Sequence, residues 1–325
     1  MLLFRGGRRR EQLLLNGEVI EQGIAQVICS VLQLEDDFFK KLQIIPKQID
    51  QIADEYREAI HNVYEHEKKA VSLKYLRMVK ACLDSLLASG LDAEEGMITR
   101  LLIYLPCLEA HSQAYDASER LLAGKRYQSE MLNIFNASQG RDDPRVKEYK
   151  SAFNKGGHFH NASTAWKCFI DLLANNSEYG LWNITAEVVF DETEIYRGYA
   201  ERFERAVGEL WRLKKDLQYA WNEKDNNYTL SELKQRSAGP RVILSGDENV
   251  EVFPMNADFT QRGAVCGIIS LTELVMAELN LLDEIDRPIR RCKLCGQLFV
   301  PYQKDSMFQL RFQFQCLRSP YLLLV

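Results

Sequence analysis

Residues 292–299 read Cys-Lys-Leu-Cys-Gly-Gln-Leu-Phe, with two thiols three positions apart. As thiolates on one tight turn, Cys292 and Cys295 can share a tetrahedral zinc ion. Gly296 permits the turn that aims backbone N–H groups at sulfur, and Phe299 is placed to cover the site. The pair is one half of a zinc knuckle. Cys316 arrives at the distance expected of a zinc ribbon's second half, but the position three further on is Ser319, a poor zinc ligand. No histidine lies beyond His160. Three completions stay open: a water, a ligand from His158, His160 or Cys266, or a chain end that departs from its natural form. A metal-free pair of thiols is the plain alternative. A thioredoxin-like redox pair wants a strand before the motif and a helix after it. Here a helical pattern and Pro288 precede it, and Leu-Phe-Val-Pro follows.

The same end of the chain is basic. Of 41 basic and 46 acidic residues, the stretch 285–318 holds seven and two, so it carries +5 and the remainder −10. Arg287, Arg290, Arg291, Lys293, Lys304 and Arg311 are candidates for phosphate contacts, with Tyr302 and Phe312 available for base stacking. The competing use of these charges is to solvate a knuckle docked on an acidic body.

The elements that must position this end are mostly helical. Ile49, Ile52, Ala53, Tyr56, Ile60, Val63 and Tyr64 recur at spacings of three and four after Pro46. A second helix over 71–90 stops at Gly90, and a third over 91–122 meets Pro106, where a break or kink is expected. Shorter candidates cover 142–153 and 163–176, the latter with Ser163 as N-cap. The longest, 191–225, aligns Ile195, Tyr199, Phe203, Val207, Leu210, Leu213, Leu217 and Trp221. Two β-rich runs, Arg241–Leu244 and Val250–Phe253, flank Ser-Gly-Asp-Glu-Asn and predict a hairpin with a five-residue loop. Ser270-Leu-Thr-Glu273 then forms a capping box. It opens a helix that lines Leu271, Leu274, Val275, Leu279 and Leu282 on one face and leads into the cysteines.

Composition narrows the class. The chain has 325 residues, 46% hydrophobic and 27% charged, as in ordinary globular domains. The start, Met-Leu-Leu-Phe-Arg-Gly-Gly-Arg-Arg-Arg, lacks the apolar stretch of a secretory signal. No run approaches the roughly 18 apolar residues of a membrane span, so a cytoplasmic location is expected. Cys29, Cys82, Cys107, Cys168 and Cys266 are scattered singly and read as core thiols. No repeat or low-complexity tract is present. His158-Phe-His160 reads as a polar loop, and the His61 to Glu65 stretch is not H-E-x-x-H. The Gly-Gly pairs at 6–7 and 156–157 are not phosphate loops, and no serine sits in a nucleophile elbow. Nothing in this pattern builds an active site.

The segment Ile-Ser-Leu-Thr-Glu through Leu-Phe-Val-Pro (269–301) resembles the C-terminal signature of the bacterial domain-of-unknown-function family 6076. That signature joins a helical body, a capped helix with an acidic residue, a basic stretch, C-x-x-C-G-x-x-F and a later cysteine. The resemblance implies a metal-ligand role for Cys292, Cys295 and Cys316 and implies no activity. The motif is also similar to CGNR-type zinc fingers, thought to bind DNA, although the C-G-N-R element is missing. The expected protein is mainly α, with a helical body over 1–283, one short hairpin near 241–253, and a basic zinc-knuckle-like segment over 284–325. Its expected role is that of a non-enzymatic, zinc-containing binding or regulatory protein, with nucleic acid or a protein as partner and no membrane. The alternative is an interaction scaffold whose knuckle is purely structural.

Overall fold

The computed structural model describes residues 2–7, 10–15, 18–22, 25–64, 66–136, 162–167, 169–173, 192–222, 227–228, 241–243, 252–254, 264–268, 270–285, 289–291 and 298–300; the strands over 2–22 and residues 118–136 are described by backbone alone. The described chain is mostly helical. It falls into two compact units, one of residues 1–44, 85–102 and 204–325, the other of 45–84 and 103–203.

The first unit holds a six-stranded sheet in which every pairing is antiparallel. β1 (Leu2–Gly7), β2 (Arg10–Leu15) and β3 (Glu18–Gln22) form a meander from the chain start. β6 (Arg241–Ile243), β7 (Val252–Pro254) and β8 (Ala264–Ile268) complete the order β3-β2-β1-β8-β6-β7. β8 joins the two ends of the chain, with Phe4 opposite Cys266 on one side and Val242 opposite Cys266 on the other. The hairpin expected near 241–253 is present as β6–β7, closed by the pair Ile243↔Val252. It is therefore the edge of a larger sheet, and the connection between its strands runs from 244 to 251. Sequence patterning missed β1–β3. Yet β2 and β3 are joined across Asn16-Gly17, the dipeptide that most favours a two-residue hairpin turn.

Helices α1 (Gln26–Gln33), α2 (Asp36–Leu42) and α7 (Leu271–Ile285) belong to this unit. α7 packs against β1, β8 and α1. The stripe Leu271, Leu274, Val275, Leu279 and Leu282 is buried as expected, and Met276, Ala277, Glu278 and Leu281 are buried too. A helix buried this far around needs any polar group on it to be partnered.

The second unit is built from α3 (Ile44–His61), α4 (Lys68–Leu87), α5 (Ala93–Asn136), residues 162–167 and 169–173, and α6 (Glu192–Ala220), each to the extent that it falls within 45–84 and 103–203. Ile49, Ile52, Ala53 and Tyr56 form the buried stripe of α3. The helix stops before Val63 and Tyr64, because Asn62 donates its side-chain amide to the carbonyl of Glu58 at 2.9 Å. Tyr64 is consequently 75% exposed. Gly90 takes φ 72 just beyond α4, as the predicted stop requires. At Pro106, where a break or kink is expected, α5 continues as one helix. Near the proline Tyr199 donates its hydroxyl to the carbonyl of Ile103 at 3.0 Å, and Leu105, Cys107, Leu108 and Ala110 are buried. Ser163 is not a flanking cap. It lies inside the helical turn, its hydroxyl 2.8 Å from His111 Nδ1.

Along α6, every apolar position expected between Ile195 and Leu217 is buried. The helix ends at Ala220, short of the expected 225, and Trp221 enters a two-residue ladder opposite Tyr228, with β4 (Trp221–Asn222) and β5 (Asn227–Tyr228). Of the single cysteines, Cys29 and Cys107 are buried, whereas Cys82 is half-exposed, with its thiol 3.0 Å from Gln48 Oε1. The side chains of Cys168 and Cys266 lie outside the described residues, as does the helix expected over 142–153.

Candidate metal-binding ribbon

The motif at 292–295 is approached from α7, and the sequence secures the start of that helix. Ser270 acts as the predicted cap: its hydroxyl accepts the N–H of Glu273 at 3.1 Å, and its carbonyl that of Leu274 at 3.3 Å. A second acceptor comes from α6. Glu209 takes the backbone N–H of Thr272 at 2.7 Å and also the Thr272 hydroxyl. Two of the helix's free N-terminal donors are thereby satisfied, and a carboxylate is set against the positive end of the helix dipole.

Glu278, fully buried on α7, does the same for α1. Its Oε1 accepts the N–H of Val27 at 3.0 Å and its Oε2 that of Ile28 at 2.8 Å. The residue before α1 is Ala25, held at φ 52 with no side-chain oxygen to offer. The cap therefore arrives from a residue some 250 positions away. Sequence reasoning named the apolar stripe and the capping box of this helix and missed Glu278. The available signal was a carboxylate flanked on both sides by residues of the apolar stripe.

α1 in turn holds the ribbon. Strands β9 (Arg290–Arg291) and β10 (Leu298–Phe299) pair antiparallel, Arg291 opposite Leu298 and Arg290 opposite Phe299. β10 packs on α1. Ile289, Leu298 and Val300 are buried, and Leu298 donates its N–H to Gln33 Oε1 at 2.9 Å. Gln33 also donates from Nε2 to the carbonyl of Cys29 at 3.0 Å, so its amide is fixed at both ends.

The connection between β9 and β10 is residues 292–297, the Cys-Lys-Leu-Cys-Gly-Gln segment. Cys292 and Cys295 themselves lie outside the described residues, as do Cys316, Arg287, Lys293, Lys304, Arg311, His158 and His160. A short connection closed by an antiparallel pair is the setting in which two thiolates three positions apart converge on one ion. Among the described residues, no group of three or more His, Cys, Asp or Glu side chains is placed to hold a metal. Arg290 is exposed on β9. Arg290 and Arg291 stand opposite Phe299 and Leu298 in the ladder.

No protein-family model, curated protein or solved structure matches this chain. Among the described residues no helix is long and apolar enough to cross a membrane.

Proposed function

We propose that the chain is a non-enzymatic binding or regulatory protein of a reducing, cytoplasmic compartment, and that its C-terminal ribbon holds zinc through Cys292, Cys295 and, as a third ligand, Cys316. The observation that carries this reading is the ladder of Arg290–Arg291 with Leu298–Phe299, which closes the connection containing the cysteine pair. Likeness to the domain-of-unknown-function family 6076 belongs to the same proposal and rests on the motif residues alone.

The partner proposed for the zinc-loaded end is nucleic acid, met by Arg287, Arg290, Arg291, Lys293, Lys304 and Arg311. Titration of short single- and double-stranded DNA and RNA with the full chain tests this. The expected result is affinity that falls steeply with salt and weakens in Arg290→Ala. Affinity indifferent to salt and to both Arg290→Ala and Arg291→Ala would remove nucleic acid from the reading.

A second reading is favoured by the packing of β10, with buried Leu298, on α1. In it, the ribbon is a staple that fixes the C-terminal part of the chain to α1, and the protein serves as an interaction scaffold. Zinc binding without any nucleic-acid affinity is its signature.

A further inference from the structure

The part of α6 that belongs to the first unit buries one side and leaves the other to solvent. Ala206, Val207, Leu210 and Leu213 are buried, while Glu204, Arg205, Gly208, Trp211, Arg212 and Lys215 are exposed. With 3.6 residues per turn, the exposed positions from 204 to 212 fall in a band about 120° wide, centred on Gly208. Two features set this band apart from an ordinary solvated face. Trp211 is 46% exposed, with Lys215 Nζ 4.6 Å from the centroid of its ring. Gly208, one turn before it, borders open space: a Cβ placed there would meet no atom within 4 Å. Glycine weakens a helix interior relative to alanine, and no neighbour among the described residues requires its lack of a side chain. Neither Glu204 nor Arg212 makes an ion pair among the described residues; Arg212 bends back to donate from Nε to the Gly208 carbonyl at 3.4 Å.

This band is complementary to itself. When two copies of a helix pack antiparallel on a twofold axis through one residue, each position after that residue faces the equally distant position before it on the other copy. With Gly208 on the axis, Glu204 of each copy faces Arg212 of the other, and Arg205 of each faces Trp211 of the other. Symmetry then supplies two opposite-charge pairs and two guanidinium–indole pairs. A glycine at the crossing point lets the two backbones approach closely, because interaxial distance is set by the side chains at the contact. We propose that this face of α6 is a homodimer interface, on which a second copy of this chain docks antiparallel across Gly208 with a Trp211 ring on either side of the axis. The proposal is independent of the reading of the cysteine ribbon. Contact along one helix pair lies at the small end of protein interfaces, so the dimer is expected in the micromolar range and not as an obligate pair.

The test is sedimentation velocity of the full chain, reduced, over a series of micromolar concentrations, with variants that change only the exposed band. A monomer–dimer equilibrium is expected in the wild type. Gly208→Leu enters open space in the monomer; it should leave thermal unfolding of the monomer intact and weaken the dimer at least about tenfold. Glu204→Arg and Arg212→Glu should each be monomeric alone, because each sets like charges against one another. Mixed in equal amounts, the two variants should associate, since every facing pair is then of opposite charge. A wild type that stays monomeric throughout the series overturns the proposal. So does a dimer that survives Gly208→Leu and both charge reversals unchanged, since it must use another surface. Single variants that dissociate and fail to associate when mixed overturn the antiparallel register through Gly208. If a charge variant does not fold, the wild-type series and Gly208→Leu decide by themselves.

Discussion

Gln33 Oε1 and the backbone N–H of Leu298 meet at 2.9 Å across 265 residues of chain. That bond joins the end of the first helix to the strand leaving the cysteine pair. It is the last of three contacts in which a side chain from one element satisfies a backbone donor of another.

Glu278 is the most consequential of the three for stability. Replacing it with alanine strands two buried N–H groups at the start of α1, each costing about 1–3 kcal/mol when unpaired. Glu278→Ala is expected to lose about 2–5 kcal/mol in urea unfolding. Glu278→Gln, which keeps one acceptor, should lose less. A loss below about 1 kcal/mol for the alanine variant would mean that water replaces the carboxylate.

Two acceptors share the start of α7, so each is expected to carry part of the capping. Ser270→Ala should cost about 1 kcal/mol, the usual worth of an N-cap hydroxyl. Glu209→Ala should cost more, because its carboxylate receives both the N–H and the hydroxyl of Thr272. Thermal unfolding of the two variants orders them; Ser270→Ala as the more damaging would contradict the arrangement.

His111 gives the second unit a pH dependence of predictable sign. Burial, ahead of the opposing bond to Ser163, lowers its pKa below the ordinary 6.5. The folded chain then holds fewer protons than the unfolded one just below pH 6.5, so stability falls as pH drops through that window. Urea midpoints should be lower near about pH 5.5 than about pH 7.5, and His111→Asn should flatten the difference. A midpoint that rises on acidification in the wild type and not in the variant would contradict this.

Thiol reactivity should follow exposure among the described cysteines. Cys107 is fully buried, and desolvation pushes its thiol well above the usual range despite Arg202 nearby. Cys82 is also raised by burial but remains half-exposed. Native alkylation followed by mass spectrometry should label Cys82 well before Cys107 or Cys29. Equal labelling would show that the core opens on the same timescale.

Helices were legible wherever an apolar stripe repeated, and α6 and α7 follow their patterns closely. Their ends were less so. Asn62 turning back on Glu58 at the end of α3 is decided by a contact that periodicity does not encode. β1–β3 were missed beside a basic cluster although Asn16-Gly17 offered a local hairpin signal, whereas β1 finds its other partner, β8, some 260 residues away. Pairings at such separation leave no local signature. The cysteine motif stood out because its spacing is chemical. The carboxylates that hold its support did not, since Glu209 and Glu278 resemble any other acidic residue on an amphipathic helix until their partners are seen.

The most direct measurement is the zinc content of the reduced, purified chain beside Cys292→Ser/Cys295→Ser. One zinc per chain, lost in the variant, is the predicted result. A wild type without zinc, or a variant that retains it, would contradict the assignment of the ribbon as a metal site.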